Sequence, residues 1–180
     1  MSGLEAKPIV RLRPATEADW PMVRRWLAQP EVIRWWGPKT TTEAEVMLAM
    51  SSTAAVCRII EAVDDAGRPV PVGYAHAIDA GSTGSPLPAE LPAGTYEIEL
   101  FVASADHRGR GVGAMALELI REEVFTTTLA VAACAFIAVG NEKAVRAYEQ
   151  AGFAWRAIVR DPVMGAEWVM LAERPNSGRR

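Results

Sequence analysis

The segment Arg108-Gly109-Arg110-Gly111-Val112-Gly113 follows a strand pattern and opens a helical one. Closely spaced glycines free backbone N–H groups to point into a concavity, and the helix N-terminus adds partial positive charge, which together make a pyrophosphate cradle. Arg108 and Arg110 bring fixed charge for phosphate oxygens. A dinucleotide fold needs G-x-G-x-x-G, and here the third glycine, Gly113, comes one residue too early. A nucleoside-triphosphate loop needs Lys-Ser/Thr at the helix start, and the chain has neither there. Just upstream, strand alternation puts Glu97, Glu99 and Phe101 on one face and Ile98, Leu100 and Val102 on the other. Two carboxylates on one strand face require solvent or a cation beside them.

The elements that position these residues follow from periodicity and punctuation. Strands are expected over Ile9–Arg13, Cys57–Val63, Val70–Ile78, Thr95–Ala103, Leu129–Ile137, Ala154–Arg160 and Glu167–Leu171. Helices are expected from Trp20 to Leu27, Glu31 to Trp36, onward from Thr42, Gly113 to Phe125 and Asn141 to Ala151. Asp64 to Gly67 and Asp161 to Gly165 read as hairpin turns, and the Gly-, Ser- and Pro-rich stretch Asp79–Gly94 as a long surface loop. Hairpins imply antiparallel pairs and the later strand–helix–strand unit a parallel one, so the class is α/β with a mixed sheet.

Composition bounds the answer further. The chain has 180 residues, 50% hydrophobic and 23% charged, with a formal net charge of -3. One domain of that size buries roughly 70% of its unfolded-chain surface, so neither disulfides nor a structural metal is needed. Mild acidity removes the footprint of a non-specific nucleic-acid binder. Cys57 and Cys134 lie in apolar runs without metal or redox spacing and read as core residues in a reducing cytosol. His76 and His107 have no partner at metal spacing, so no metal site is expected. No apolar run reaches the ~18–20 residues of a membrane span, and a cytoplasmic location is expected.

With these residues in place, the chain resembles the Gcn5-related N-acetyltransferases (GNAT). Their acetyl-CoA signature, Arg/Gln-x-x-Gly-x-Gly/Ala after an acidic strand, is met by Arg108, Gly111 and Gly113. The block from Asn141 through Ala144, Tyr148 and Gly152 to Phe153 is similar to the Asn-x-x-Ala-x-x-x-Tyr-x-x-x-Gly-Phe helix of that family. Trp35-Trp36-Gly37, Gly73-Tyr74-Ala75 and Ile98-Glu99-Leu100-Phe101 narrow the resemblance to its aminoglycoside 6'-N-acetyltransferase branch. The resemblance implies a single GNAT domain over 9–171, preceded by an N-terminal extension, 1–8, and followed by a flexible tail, 172–180. Its fold is a mostly antiparallel sheet of six or seven strands flanked by helices, with one splayed strand pair that binds CoA.

The resemblance also implies roles. Acetyl-CoA is the co-substrate, with Arg108, Gly109, Arg110, Gly111, Val112 and Gly113 on its pyrophosphate, Phe101 and Val102 along the splayed strand, and Asn141 and Lys143 at the second block. The Val102 N–H polarises the thioester carbonyl. Glu99 is the base toward the amine and Tyr148 the acid toward the thiolate. Trp35, Trp36, Glu97, Glu99 and Phe136 border the acceptor. Several of these residues admit plainer readings: Asn141 as a helix N-cap, Tyr148 as packing against Val145 and Phe153, Lys143 as a solvated helix position, and one or both tryptophans as core. Phe136 stands where the branch has an Asp facing its polycationic acceptor, a loss that weakens the electrostatic case for an aminoglycoside; Glu90, Asp79 and Glu43 are candidates to compensate from loops, and a smaller or more apolar amine is the alternative.

The expected function is direct acetyl transfer to a primary amine in a ternary complex, and the branch-level resemblance implies an aminoglycoside 6'-amine. A protein N-terminus, a lysine or a siderophore-type amine is the alternative acceptor, and a non-catalytic acyl-CoA-binding module the alternative of another class. The expected partners are a small-molecule or peptide amine, with no nucleic acid and no membrane, in a monomer or homodimer.

Overall fold

The computed structural model describes residues 8–82, 87–162 and 164–175. Most of the N-terminal extension, part of the Asp79–Gly94 loop, Val163 and the end of the tail lie outside the described residues. The strands are β1 (Val10–Pro14), β2 (Val56–Val63), β3 (Pro69–Asp79), β4 (Thr95–Val102), β5 (Ala132–Ala138), β6 (Ala154–Asp161) and β7 (Gly165–Glu173). The helices are α1 (Trp20–Leu27), α2 (Pro30–Trp36), α3 (Lys39–Ser51), α4 (Val112–Thr127) and α5 (Glu142–Gln150). One seven-stranded sheet has the order β1-β2-β3-β4-β5-β7-β6. All neighbours are antiparallel except β4 and β5.

Alternation sorts the sheet's side chains onto two faces. Ile98, Ala133, Ala135, Ile137, Met170 and Ala172 pack beneath α4 and α5. On the opposite face Cys57, Ile59, Tyr74 and Phe101 meet Val23 and Leu27 of α1, Val32 of α2, and Val46 and Ala49 of α3. Arg13 ties β1 to α1 through a two-pronged ion pair with Asp19, at 2.7 and 2.8 Å. That pairing holds the Asp19 carboxyl down at about 2.

Several boundaries differ from the sequence reading, and three of them have a visible physical reason. β5 starts at Ala132, not Leu129, because pairing with β4 and β7 begins only there. Leu129 is 96% exposed, and the Arg174 guanidinium bonds the carbonyls of Ala130 and Thr128. The final strand continues to Glu173, so Ala172 and Glu173 belong to the sheet rather than to a tail. α3 starts at Lys39, three residues before Thr42, whose hydroxyl donates to the carbonyls of Trp36 and Pro38.

Candidate active site

β4 and β5 pair over three residues only, Thr95, Tyr96 and Glu97 against Ala132, Ala133 and Cys134, and then part. Ala103 donates to Val72 across the β3 side. In an antiparallel ladder, odd-numbered residues of β4 therefore bond β3, and even-numbered ones turn their N–H and C=O toward the gap. Two of these carbonyls are occupied. The Tyr148 hydroxyl donates to the Ile98 carbonyl at 2.8 Å, and the Arg108 Nε to that of Val102 at 2.8 Å. The N–H groups of Leu100 and Val102 face the wedge, the second of them being the group that the family resemblance implies for the acyl carbonyl.

The wedge opens into a cleft of about 650 Å³ bordered by Trp35, Leu100, Val102, Gly111, Gly113 and Asn141. Gly109 and Gly111 have φ of +73° and +83°, and a Cβ on either would meet nothing within 4 Å. Their backbone is a left-handed cradle open to the outside. α4 follows with no side chain capping its first turn, so the N–H groups that a helix start leaves unpaired are available to an anion. The donor set and the open cradle fit the diphosphate of CoA.

The sequence-predicted residues of this side fall into three groups. Gly109, Gly111, Val112 and Gly113 form the cradle and helix start, with Val112 buried beneath it. Arg110 is exposed on the loop, and Lys143 is exposed on α5 where it borders the cleft. Arg108 behaves differently from the sequence expectation. Its guanidinium turns inward, bonding the carbonyls of Val102 and Ala103 and the side-chain oxygen of Gln29. Its charge therefore sits behind the loop and pins the end of β4, rather than reaching out for phosphate oxygens. Asn141 caps α5, its side chain accepting from the Ala144 N–H at 3.3 Å.

Tyr148 is buried, with its ring edge-on to Phe153 at 5.1 Å. Burial, and after it the charges of Glu99 and Glu97, keep its phenol well above the ordinary tyrosine range. The phenol proton is already donated to Ile98. Phe101 borders the cleft, but its ring packs on the other face against Trp36 (4.9 Å), Tyr74 (6.0 Å) and Trp26 (6.4 Å).

The two tryptophans diverge, as adjacent helical residues do. Trp36 joins the α1–α3 core and sets its ring edge-on to Phe101 and to His76. Trp35 lies under the Arg34 guanidinium, 4.6 Å from its ring centre, and reaches across the cleft mouth to Gly140. The side chain that Gly140 lacks would begin 3.9 Å from that indole.

On the acceptor face of β4 the carboxylates do not stand alone. Glu99 meets the His76 Nε2 at 3.1 Å, and the two residues are register partners on β4 and β3. Burial raises the Glu97 carboxyl well above its ordinary range, and Glu99, Glu167 and Glu45 raise it further. Burial also raises Glu45, with Glu99 adding and His76 opposing. Glu167 is pushed up to about 7 by burial, then by Asp161 and Glu99. Four carboxylates from α3, β4 and β7 thus converge on one face.

Phe136 is on this face too, packed with Cys134 and Val169. Glu167 lies one strand over and two residues along from Val169, the β7 partner of Phe136. The carboxylates that join Glu97 and Glu99 on this face come from β7 and α3, and not from the loop residues the sequence suggested. Glu43 is paired with Arg24 and Lys39. Asp79 accepts from the Gly81 N–H, and Glu90 borders a separate surface cleft with Arg156 and Arg174. Sequence reasoning missed Glu45, Glu167 and the His76–Glu99 pair. The alternation of Glu167 with Val169 and Leu171 was a usable signal, had β7 been known to neighbour β5.

Comparison with known proteins agrees with this geometry. The sequence pattern of the acetyltransferase (GNAT) domain matches residues 10–154. Aminoglycoside N(6')-acetyltransferase type 1 of Klebsiella pneumoniae is 28% identical over 163 residues, covering 85% of this chain and 78% of that protein. The crystal structure of aminoglycoside acetyltransferase AAC(6')-Ib in complex with coenzyme A superposes with a TM-score of 0.76 at 25% identity, covering 92% of this chain and 95% of the other. Spermidine N-acetyltransferase from Vibrio cholerae shares the fold, with a TM-score of 0.68 at 15% identity over 92% of this chain and 95% of that one. The splayed strands, the uncapped glycine cradle and these matches converge: the chain belongs to the GNAT acetyltransferase family, as an N-acetyltransferase whose sequence and structural likenesses run to the aminoglycoside 6'-N-acetyltransferases.

Proposed function

We propose that the protein transfers an acetyl group from acetyl-CoA to a primary amine of a small polycation, of the aminoglycoside kind, within a ternary complex. One observation carries the reading: Glu45, Glu97, Glu99 and Glu167 repel one another on the face of β4 opposite α4 and α5. Such a cluster lowers its free energy when several ammonium groups arrive together. The K. pneumoniae relative acts on aminoglycosides by name, and a second AAC(6')-Ib structure holds coenzyme A and kanamycin, at a TM-score of 0.75 and 25% identity.

Acetyl-CoA supplies the acetyl thioester. The chain's own residues orient and deprotonate. Gly109 to Gly113 would hold the diphosphate, Asn141 and Lys143 would border the arm, and the Val102 N–H would polarise the thioester carbonyl. Glu99 binds the acceptor as ammonium and takes one proton from it, which frees the nitrogen lone pair to attack the thioester carbon. As the C–N bond forms and the C–S bond breaks, CoA leaves as its thiolate and the second nitrogen proton passes to it through water. Tyr148 is assigned to the wedge itself: its hydroxyl satisfies the first β4 carbonyl that β5 abandons. Tyr148→Phe is accordingly expected to lower stability by ~1–2 kcal/mol and to weaken CoA binding several-fold, with kcat held within about threefold. A fall in kcat of ~10²-fold with CoA affinity intact would instead make Tyr148 the proton donor.

The reading is tested by thiol release from acetyl-CoA over a panel of aminoglycosides, linear polyamines, monoamines and peptides. Polycations are expected to surpass monoamines in kcat/KM by ~10²-fold or more. Equal turnover of a monoamine, or turnover of peptides alone, would refute the acceptor class.

A further inference from the structure

We infer that His76 is a positioning residue for the reaction: it holds one oxygen of Glu99 so that the other faces the acceptor amine. The inference rests on the reading of Glu99 as the base. His76 is 3% exposed, and its ring is boxed by Trp36, edge-on at 5.8 Å, and Tyr74 at 5.7 Å. Nε2 lies 3.1 Å from the Glu99 Oε2, while Nδ1 is buried with no hydrogen-bond partner.

That asymmetry fixes the tautomer. A proton on Nδ1 would be buried without an acceptor, and a bare Nε2 would set a lone pair against a carboxylate. The hydrogen therefore resides on Nε2, 3.1 Å from the Glu99 Oε2. Glu99 needs this contact. Its side chain is 39% exposed, and Glu45, Glu97 and Glu167 all present like charge to it from α3, β4 and β7. Among the described residues the one basic side chain within 4 Å of its carboxylate is His76. Without that donor, repulsion and rotamer entropy both favour swinging the carboxylate into water. With it, Oε2 is fixed and Oε1 is left to accept from the substrate.

The test compares His76→Gln, His76→Asn and His76→Phe, each alone and combined with Glu99→Gln. A glutamine amide reaches the place of Nε2, and an asparagine amide only that of Nδ1. His76→Asn and His76→Phe are expected to lower kcat ~10–30-fold with both KM values within about threefold, as loss of orientation does. His76→Gln is expected to restore kcat to within about threefold of the parent, and in the Glu99→Gln background none of the three should cost anything further. A role in folding alone would make Gln and Asn equally harmful and their losses independent of Glu99. Equal kcat for all His76 variants beside an inactive Glu99→Gln overturns the role of His76 while sparing the base. An active Glu99→Gln overturns both. Should His76→Phe fail to fold, the Gln–Asn contrast decides alone.

Discussion

Glu99→Gln is expected to cut acetyl transfer by ~10²-fold or more at neutral pH while leaving the dissociation constant for CoA within about twofold. On the proposed reading the two ligands meet β4 from different sides, which is why the effects separate. The cradle and wedge are built on the glycine loop, α4 and the even-numbered residues of β4, whereas the Glu99 side chain projects from the other face toward His76. The glutamine keeps the shape and the contact with His76 but has no lone pair basic enough to take the ammonium proton. Stopped-flow thiol release and calorimetric CoA titration of the same preparation check the two halves. Unchanged turnover would remove Glu99 from the reaction.

The second large effect concerns acceptor binding and pH. Glu167 has a carboxyl at about 7 in the folded chain, against an ordinary value of 4.5, and Glu97 and Glu45 are raised in the same direction. A carboxyl raised by folding binds more protons in the native state than in the unfolded one. Its contribution to stability is therefore present below about 4.5 and is lost as pH climbs through the folded value. The ligand-free protein should accordingly melt at a higher temperature at pH 5 than at pH 8, and Glu167→Gln should flatten that slope. A polycationic acceptor reverses the balance by compensating the ionised cluster, so its affinity should rise between pH 5 and pH 7.5 with release of protons. Glu167→Gln should raise the KM for such an acceptor about tenfold, which corresponds to ~1.4 kcal/mol, and leave the KM for acetyl-CoA unchanged. Scanning calorimetry across pH and steady-state kinetics with a tetracationic and a monocationic amine provide the measurements. A pH-independent melting temperature from 5 to 8, or equal KM changes for both amines, would show that the cluster does not hold the acceptor.

What could be read from the chain was whatever depends on near neighbours in sequence. The glycine loop, the capped helix from Asn141 and the alternation of Glu97, Glu99 and Phe101 each lie within one element or one turn, where 3.6- and 2-residue periods speak directly. What could not be read depends on which strands become neighbours. Glu167 joins Glu97 only because β7 inserts between β5 and β6, and Glu45 only because α3 crosses the same face. Arg108 shows a related difficulty. An arginine beside a glycine cradle has the charge for phosphate, yet the carbonyls at the frayed end of β4 and the side chain of Gln29, far back in the chain, claim it first. The starting point of β5 was obscured because Leu129 and Val131 look like strand residues and are instead exposed linkers.

Parting β4 from β5 leaves unpaired main-chain groups in the middle of a sheet, an edge in its interior. Exposed edges invite pairing with another chain, and proteins usually shorten, charge or cover them. Here the cover is built in: α2 brings Trp35 across the mouth to Gly140, α5 lines the opposite side, and Tyr148 and Arg108 occupy the carbonyls of Ile98 and Val102. An opening so walled admits a thin flexible arm end-on but offers a foreign strand no flank along which to lie. The gap that makes catalysis possible is thereby kept from becoming a site of aggregation.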